Sequence, residues 1–281
     1  MCVSMAPAEF KGAIAFGGEV DESLHLLGYQ NSAQSLSGPN CMLLHVPTAE
    51  LTADNLVPTT AVPNFMEDMG RRVYALWTFR GGMTSRSAME PVVVHYGAYE
   101  IVLASSAKDV PSALERISPA KRPVINDELL AWFDKQRPNY SFALPCFNND
   151  VEQVQHPILI KYVPTDPTKI FVPGLESHSG RPPVIGGRDH PRDFKVVFGS
   201  RLATTYSGRV PGHSLNDMRT VTYRDDLGEL RDLLPSQVVG FRDNNVGTNS
   251  DYWASAQDVR DGLNYDELFL TMPAHAEGAL I

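Results

Sequence analysis

Residues 11–31 read KGAIAFGGEVDESLHLLGYQN, two apolar runs that meet at the acidic pair Asp21 and Glu22. Each run is the length of a strand and is bounded by residues that favour turns, so the stretch predicts an antiparallel hairpin. The neighbouring chain has the same grain. Residues 40–46 form a compact apolar strand, and Pro47, which has no N–H to give to a ladder, ends it.

The pattern changes at residue 65. In FMEDMGRRVYALWTF, Phe65, Met69, Val73, Leu76 and Trp77 recur at helical spacing, which predicts an amphipathic helix closed by Gly81 and Gly82. Two strands come next, at 91–96 and 98–105. Asp109 is expected to cap a short helix holding Pro111 and Leu114, and Asn126 to cap DELLAWFDKQ. From residue 140 onward the chain reads mostly as strand: YSFALPCF, HPILIKYV, KIFVP, DFKVVFG and a last run ELFLTM, with short helices at DLGELRDLL and SAQDVRDGL. Strands do not alternate regularly with long helices. The fold class is therefore α+β, β-rich, with mostly antiparallel sheets and a few short helices. A chain of 281 residues accommodates one large domain or two closely packed lobes meeting near 150–157.

Composition narrows the partners. With 33 acidic residues against 24 basic ones the formal charge is −9, so the average surface repels a phosphate backbone and no nucleic-acid partner is expected. The basic cluster Arg71, Arg72, Arg80 and Arg86 reads as the solvated face of the helix and the turn after it. No apolar run reaches the about 18–20 residues that a membrane-spanning helix requires, and no membrane partner is expected. The N-terminal residues lack a basic leader ahead of a long apolar stretch. Cys2, Cys41 and Cys146 are odd in number and widely spaced, which favours a reducing, cytoplasmic setting.

The order GPNCMLLHVP, HYGAYEIVLASSAKDVPSALERI, NDELLAWFDKQRPNYSFALPCF and HPILIKYVPTDP, over residues 38–167, resembles an uncharacterised bacterial family known only as a domain of unknown function. The resemblance implies a similar succession of strand, strand, two helices and strand. It brings no catalytic residue with it. The Met1-Cys2 start resembles that of N-terminal-nucleophile amidohydrolases, whose chains also begin with Met-Cys and an antiparallel strand. That resemblance implies catalysis by Cys2 once Met1 is removed, with the freed α-amine, of reference pKa near ~8, as local base. Supporting positions would be sought at Asp21, Asn31 and later asparagines.

One stretch gathers possible ligands. PGLESHSGRPPVIGGRDHPRDF, residues 173–194, holds Glu176 and His178 at alternate positions and Asp189 and His190 beyond a glycine pair. If the first pair shares a face and the second folds back, carboxylate and imidazole form a divalent-metal site able to activate water. The same composition also describes a polar connection between two strands, with its aspartates spent on local backbone bonds. FRDNNVGTNSDYW, residues 241–253, is likewise either a polar binding loop using Asn244, Asn245, Asn249 and Asp251 or a cluster of turns. Cys41 and Cys146 fall in apolar strands and read as buried thiols; His45 has no partner that the sequence nominates, and the other histidines are scattered singly. No GxSxG elbow, phosphate loop or dinucleotide fingerprint occurs. The leading expectation is a soluble binding, assembly or structural protein whose loops present an interaction surface to a protein partner or a second copy. The alternative is a hydrolase using Cys2, or metal-activated water at Glu176, His178, Asp189 and His190.

Overall fold

The computed structural model describes residues 3–73, 94–96, 99–187, 194–203, 221–222, 228–243 and 249–261. The hairpin expected at 11–31 is its centre. Strand β1 (Ala8–Glu19) pairs antiparallel with β2 (His25–Ser35), from Ala8 opposite Ser35 to Glu19 opposite His25. Asp21 makes the turn: its Oδ1 accepts from the Ser23 N–H at 2.8 Å, the Leu24 N–H at 2.9 Å and the Ser23 hydroxyl at 2.9 Å. The other strands among the described residues are β3 (Asn40–Cys41), β4 (Leu44–Val46), β5 (Val94–Tyr96), β6 (Tyr99–Ala104), β7 (Ser141–Phe147), β8 (Gln153–Val154), β9 (Ile158–Tyr162), β10 (Lys169–Val172), β11 (Phe194–Ser200), β12 (Val221–Thr222), β13 (Gln237–Asp243) and β14 (Tyr252–Ser255).

Seven of these strands form one sheet, in the order β12-β13-β11-β1-β2-β8, with β9 also on β2. Five form a second, β3-β7-β6-β5 with β4 also on β7, and β10 and β14 form a two-stranded ribbon. All the described ladders are antiparallel except β1 with β11, which run parallel from Ile14 opposite Lys195 to Glu19 opposite Ser200. The fold is thus β-rich α+β, as the sequence implies.

Side chains alternate across each sheet, and here both faces are covered. Ile14, Phe16, Leu26, Leu159 and Val197 point to one side of the large sheet, where Phe65, Met66 and Met69 of helix α1 (Phe65–Val73) cover them. Ala13, Ala15, Leu27, Tyr29 and Val196 point to the other side, into a shared core with the ribbon and the inner face of the five-stranded sheet. The outer face of that second sheet, with Val102, Phe142 and Leu144, packs under α2 (Val110–Leu114) and α3 (Asp127–Gln136) through Leu114, Leu129 and Phe133. The small residues of β1 therefore have a purpose. Gly17 lies in line with Ala13 and Ala15 where β10 crosses, and a Cβ there would stand 2.5 Å from the Phe171 carbonyl oxygen and 2.8 Å from Val172 Cγ2.

Several expectations need correction or refinement. The 40–46 strand is split: Met42 and Leu43 interrupt it, and the chain turns aside there to bond residues 3–5, with Met5 N–H on the Cys41 carbonyl at 2.9 Å and Leu43 N–H on that of Val3 at 2.8 Å. Asn126 caps α3, accepting from the Leu129 N–H at 3.1 Å, but Asp109 makes no capping bond to α2. A 3-10 turn at Ala107–Asp109 runs directly into α2, and the Asp109 carboxylate instead accepts the Ser106 hydroxyl at 2.8 Å. DLGELRDLL forms a 3-10 helix over Gly228–Asp232, and SAQDVRDGL forms α4 (Ala256–Asp261). Residues 74–79 of the expected first helix, Arg80, Arg86 and the ELFLTM run lie outside the described residues. No described helix is long and apolar enough to cross a membrane.

The last described helix is tied back to the hairpin by charge. Glu19, fully buried, receives Arg260 Nε at 2.9 Å and the Ser200 hydroxyl at 2.5 Å, so one carboxylate joins β1, β11 and α4.

Replacing Gly17 by Ala adds a methyl where backbone already stands. We expect Gly17→Ala to lower unfolding stability by about 1–3 kcal/mol, read from a reduced urea midpoint at unchanged slope.

Candidate functional site

In the 173–194 stretch, the described residues 173–187 begin as a buried segment. Residues 174–177 are buried, and the backbone from Ser177 to Ser179 lies against the N-terminal segment: Ser4 N–H bonds the Ser177 carbonyl and Ala8 N–H the His178 carbonyl, each at 3.0 Å. Asn126 adds a third tie, with its Nδ2 donating to the carbonyls of Met5 at 3.1 Å and Gly180 at 2.6 Å. Extended backbone places Glu176 and His178 on one face, as their spacing predicts. Glu176 is buried, His178 Nε2 stands 3.5 Å from its Oε2, and the imidazole packs edge-on against Phe10 with centroids 5.1 Å apart. Asp189, His190 and Cys2 lie outside the described residues. Among the described residues no group of three or more His, Cys, Asp or Glu side chains converges on a point where a metal ion would sit.

What holds this stretch in place is the described end of the 241–253 run, through Asn249 and Asp251; Asn244 and Asn245 lie outside the described residues. Asn249 grips Glu176 at both ends of its peptide, accepting from the Glu176 N–H at 2.8 Å and donating to its carbonyl at 2.9 Å. Its own backbone pairs with the far arm of the loop, through Gly186 N–H to Asn249 O and Asn249 N–H to Gly187 O, both 2.9 Å. Asp251 does the rest. Its Oδ1 accepts the Gly174 N–H at 2.9 Å, the Leu175 N–H at 3.3 Å and His45 Nε2 at 2.9 Å; its Oδ2 accepts Arg137 NH2 at 2.9 Å. Gly174 permits this approach because a Cβ there would collide with the Ser250 carbonyl and the Tyr252 ring. The side chains of Asn249 and Asp251, candidates for a binding loop, are spent inward.

The carboxylate is only 4 % exposed. Burial alone would raise its pKa, but the attraction and hydrogen bond of His45, the Arg137 guanidinium and the Gly174 N–H outweigh it and hold the Asp251 carboxyl far below its ordinary value. The surroundings are aromatic: the His45 ring lies 5.5 Å from Phe133, 5.8 Å from Tyr140 and 5.6 Å from Phe171, and Arg137 sits 5.8 Å over Tyr140. Burial and the Asp251 charge push the Tyr140 hydroxyl's pKa far up, against the opposing influence of Arg137. No local pattern leads to this cluster. His45 and Asp251 are 206 positions apart, and Arg137 and Asp251 are 114 apart.

Outside this buried clamp, exposed apolar side chains fall together in two places among the described residues. Val184 and Ile185 are 60 % and 40 % exposed in the 173–187 stretch. Leu36, Val151 and Val154 are 55 %, 58 % and 70 % exposed where the end of β2 meets the 149–154 segment, joined there by Ser35 N–H to the Asn149 carbonyl at 2.8 Å. A cleft of about 230 Å³ opens beside Val154, lined also by Lys11, Gln30, Glu67 and Lys195.

No family model matches this chain, and no curated protein matches it in sequence. Solved structures do match in shape. The crystal structure of baculovirus P35 superposes over 90 % of this chain and 99 % of its own, with a TM-score of 0.50 at 12 % identity. A mutated baculovirus P35 after caspase cleavage matches at 11 % identity, covering 87 % of this chain and 99 % of that one with a TM-score of 0.43. The caspase-8/P35 complex matches at 10 % identity, covering 87 % and 95 % with a TM-score of 0.40. The first of these matches shows likeness of fold alone.

Removing the charge at Asp251 strands both Arg137 and His45, so Asp251→Asn is expected to cost about 3–5 kcal/mol in a denaturant titration. The pH dependence has a definite sign. Because the folded pKa lies below the ordinary 3.8, the stability Asp251 contributes is present above 3.8 and drains away as pH falls below it towards the folded value. The acid limb of the stability profile should therefore be shallower in Asp251→Asn than in the parent.

Proposed function

We propose that this chain works by binding another protein, with its loops as the contact surface, and that a cysteine protease of the caspase class is the partner. The observation that carries the proposal is the match of fold to baculovirus P35 along nearly the whole length of both chains. Related structures of that protein are described as a complex with caspase-8 and as the product of caspase cleavage. The surface chemistry supports the reading. Val184 and Ile185 stand out from a stretch whose base is pinned by Asn249 and Asp251, so apolar contact area is offered from a backbone already fixed in place. Little ordering entropy is then lost on binding, which is how a loop surface reaches useful affinity.

A hydrolase is the second reading, with metal-activated water at Glu176, His178, Asp189 and His190 or with Cys2 as nucleophile. The approach of His178 to Glu176 at 3.5 Å favours its metal form. Stoichiometric divalent metal in the purified protein, lost in His178→Ala, would support it; metal-free protein, or metal content unchanged by that substitution, counts against it.

The primary reading is tested by mixing the full chain with active caspase-8 and, separately, with an effector caspase. Size-exclusion chromatography with light scattering reports assembly, residual peptidase activity reports inhibition, and intact mass reports any cut in this chain. A co-eluting complex with most of the peptidase activity lost is expected for at least one enzyme. Separate elution with full activity retained in both mixtures removes caspases as the partner, and light scattering of the chain alone identifies self-association.

A further inference from the structure

We propose that Cys41 and Cys146 are an oxidisable pair, and that peroxide closes them into a disulfide that staples β3 to β7 within the native fold. The two residues stand directly opposite each other in the antiparallel β3–β7 ladder, where Cys41 pairs with Cys146 and Asn40 with Phe147. Residues opposite one another in such a ladder have Cα atoms about 4.5–5.5 Å apart and side chains on the same face, a separation inside the range a disulfide spans. Both are fully buried and free. The Cys146 thiol also reaches the Leu144 carbonyl at 3.4 Å. No backbone rearrangement is needed to bring the sulfurs together.

Burial usually keeps thiols inert, and here burial, the Cys41 thiol and the nearby Glu100 charge push the Cys146 pKa up. Access comes from the position of the pair in the fold. β3 is two residues long and ends the order of the five-stranded sheet, and its outer side is covered by residues 3–5 through the Met5–Cys41 and Leu43–Val3 bonds. Short edge elements open locally at far lower cost than global unfolding. Opening of residues 3–5 uncovers Cys41 first. A peroxide is small enough to enter such an opening, whereas a bulky disulfide reagent requires a larger one.

The chemistry balances in two steps. The Cys41 sulfur attacks a peroxide oxygen, the O–O bond breaks, and the leaving hydroxide takes up the thiol proton as water, leaving Cys41 as a sulfenic acid. The Cys146 sulfur then attacks Cys41 Sγ, the S–O bond breaks, and the oxygen leaves as a second water with the Cys146 proton. Two thiols lose two electrons and two protons, and one peroxide becomes two waters. The closed loop holds roughly a hundred residues, so the bond removes substantial freedom from the unfolded chain.

The test uses the full-length, fully reduced protein under native conditions. Hydrogen peroxide should lower its intact mass by two hydrogens, peptide mapping should recover Cys41 joined to Cys146, and dithiothreitol should reverse the change. The oxidised form should melt about 5–15 °C higher than the reduced form. The product should persist in Cys2→Ala and be absent in Cys146→Ala. Because the decisive measurement is made on the unaltered protein, it stands whether or not Cys146→Ala folds. Retention of both thiols in the folded protein overturns the proposal, as does a sulfinic acid at either position, a link to Cys2, or a linked pair that melts no higher than the reduced form.

Discussion

A single buried carboxylate organises the space between the sheets. Asp251 immediately precedes the ribbon strand β14, and its two oxygens reach an imidazole on β4, a guanidinium just after α3 and two N–H groups at the start of the 174–187 stretch. Four segments far apart in the chain are registered by one side chain. An unpaired charge in that environment would be costly, whereas one with its lone pairs filled tolerates few alternative arrangements of the groups that fill them. The aromatic packing around His45 depends on this, because Phe133 of α3, Tyr140 of the loop before β7 and Phe171 of β10 meet at a ring whose position the carboxylate sets. The 174–187 stretch depends on it too. Without Asn249 and Asp251 its buried backbone N–H groups would lack acceptors.

The second constraint is steric and is written into β1. Its inner face is Ala13, Ala15 and Gly17 and its outer face Ile14 and Phe16, so one strand offers a shallow bed to the ribbon and a bulky ridge to α1. Glycine and alanine in a strand usually weaken it, because they give little to pack. Here a second layer of backbone lies directly on them. The close approach of β10 turns the missing side-chain volume into interlayer contact.

Local structure was legible in the sequence wherever the deciding groups are near neighbours. The hairpin at 11–31, the Asn126 cap, the strands β7, β9, β10 and β11 and the short helices near 228 and 256 follow from apolar pattern and turn chemistry within a few residues. Local rules failed where a neighbouring turn or a distant segment competed. Asp109 has the right identity for a cap, but a preceding 3-10 turn gives its neighbouring N–H groups other geometry. The 40–46 run has an unbroken strand pattern, yet residues 3–5 bond into its middle and divide it. The candidate site was legible only in composition. The spacing of Glu176 and His178 correctly implied a shared face, but nothing near His45 or Arg137 announces a carboxylate more than a hundred positions away. The facing cysteines were hidden for the same reason: register across two sheet strands is set by packing, and their separation in sequence carries no trace of it.

The parallel pairing of β1 with β11 also sets the order of events during folding. β1 lies in the middle of the large sheet with neighbours on both sides, but they are made at very different times: β2 comes after one short turn, from Glu19 to His25, whereas β11 begins only at Phe194. Until then one whole edge of β1, with its free peptide groups, has nothing to pair with. Closing a loop of that length is slow compared with forming a hairpin. The centre of this molecule is therefore begun long before it is completed, and the nascent chain must pass through a stage with an open, apolar strand edge of the kind that chaperones recognise.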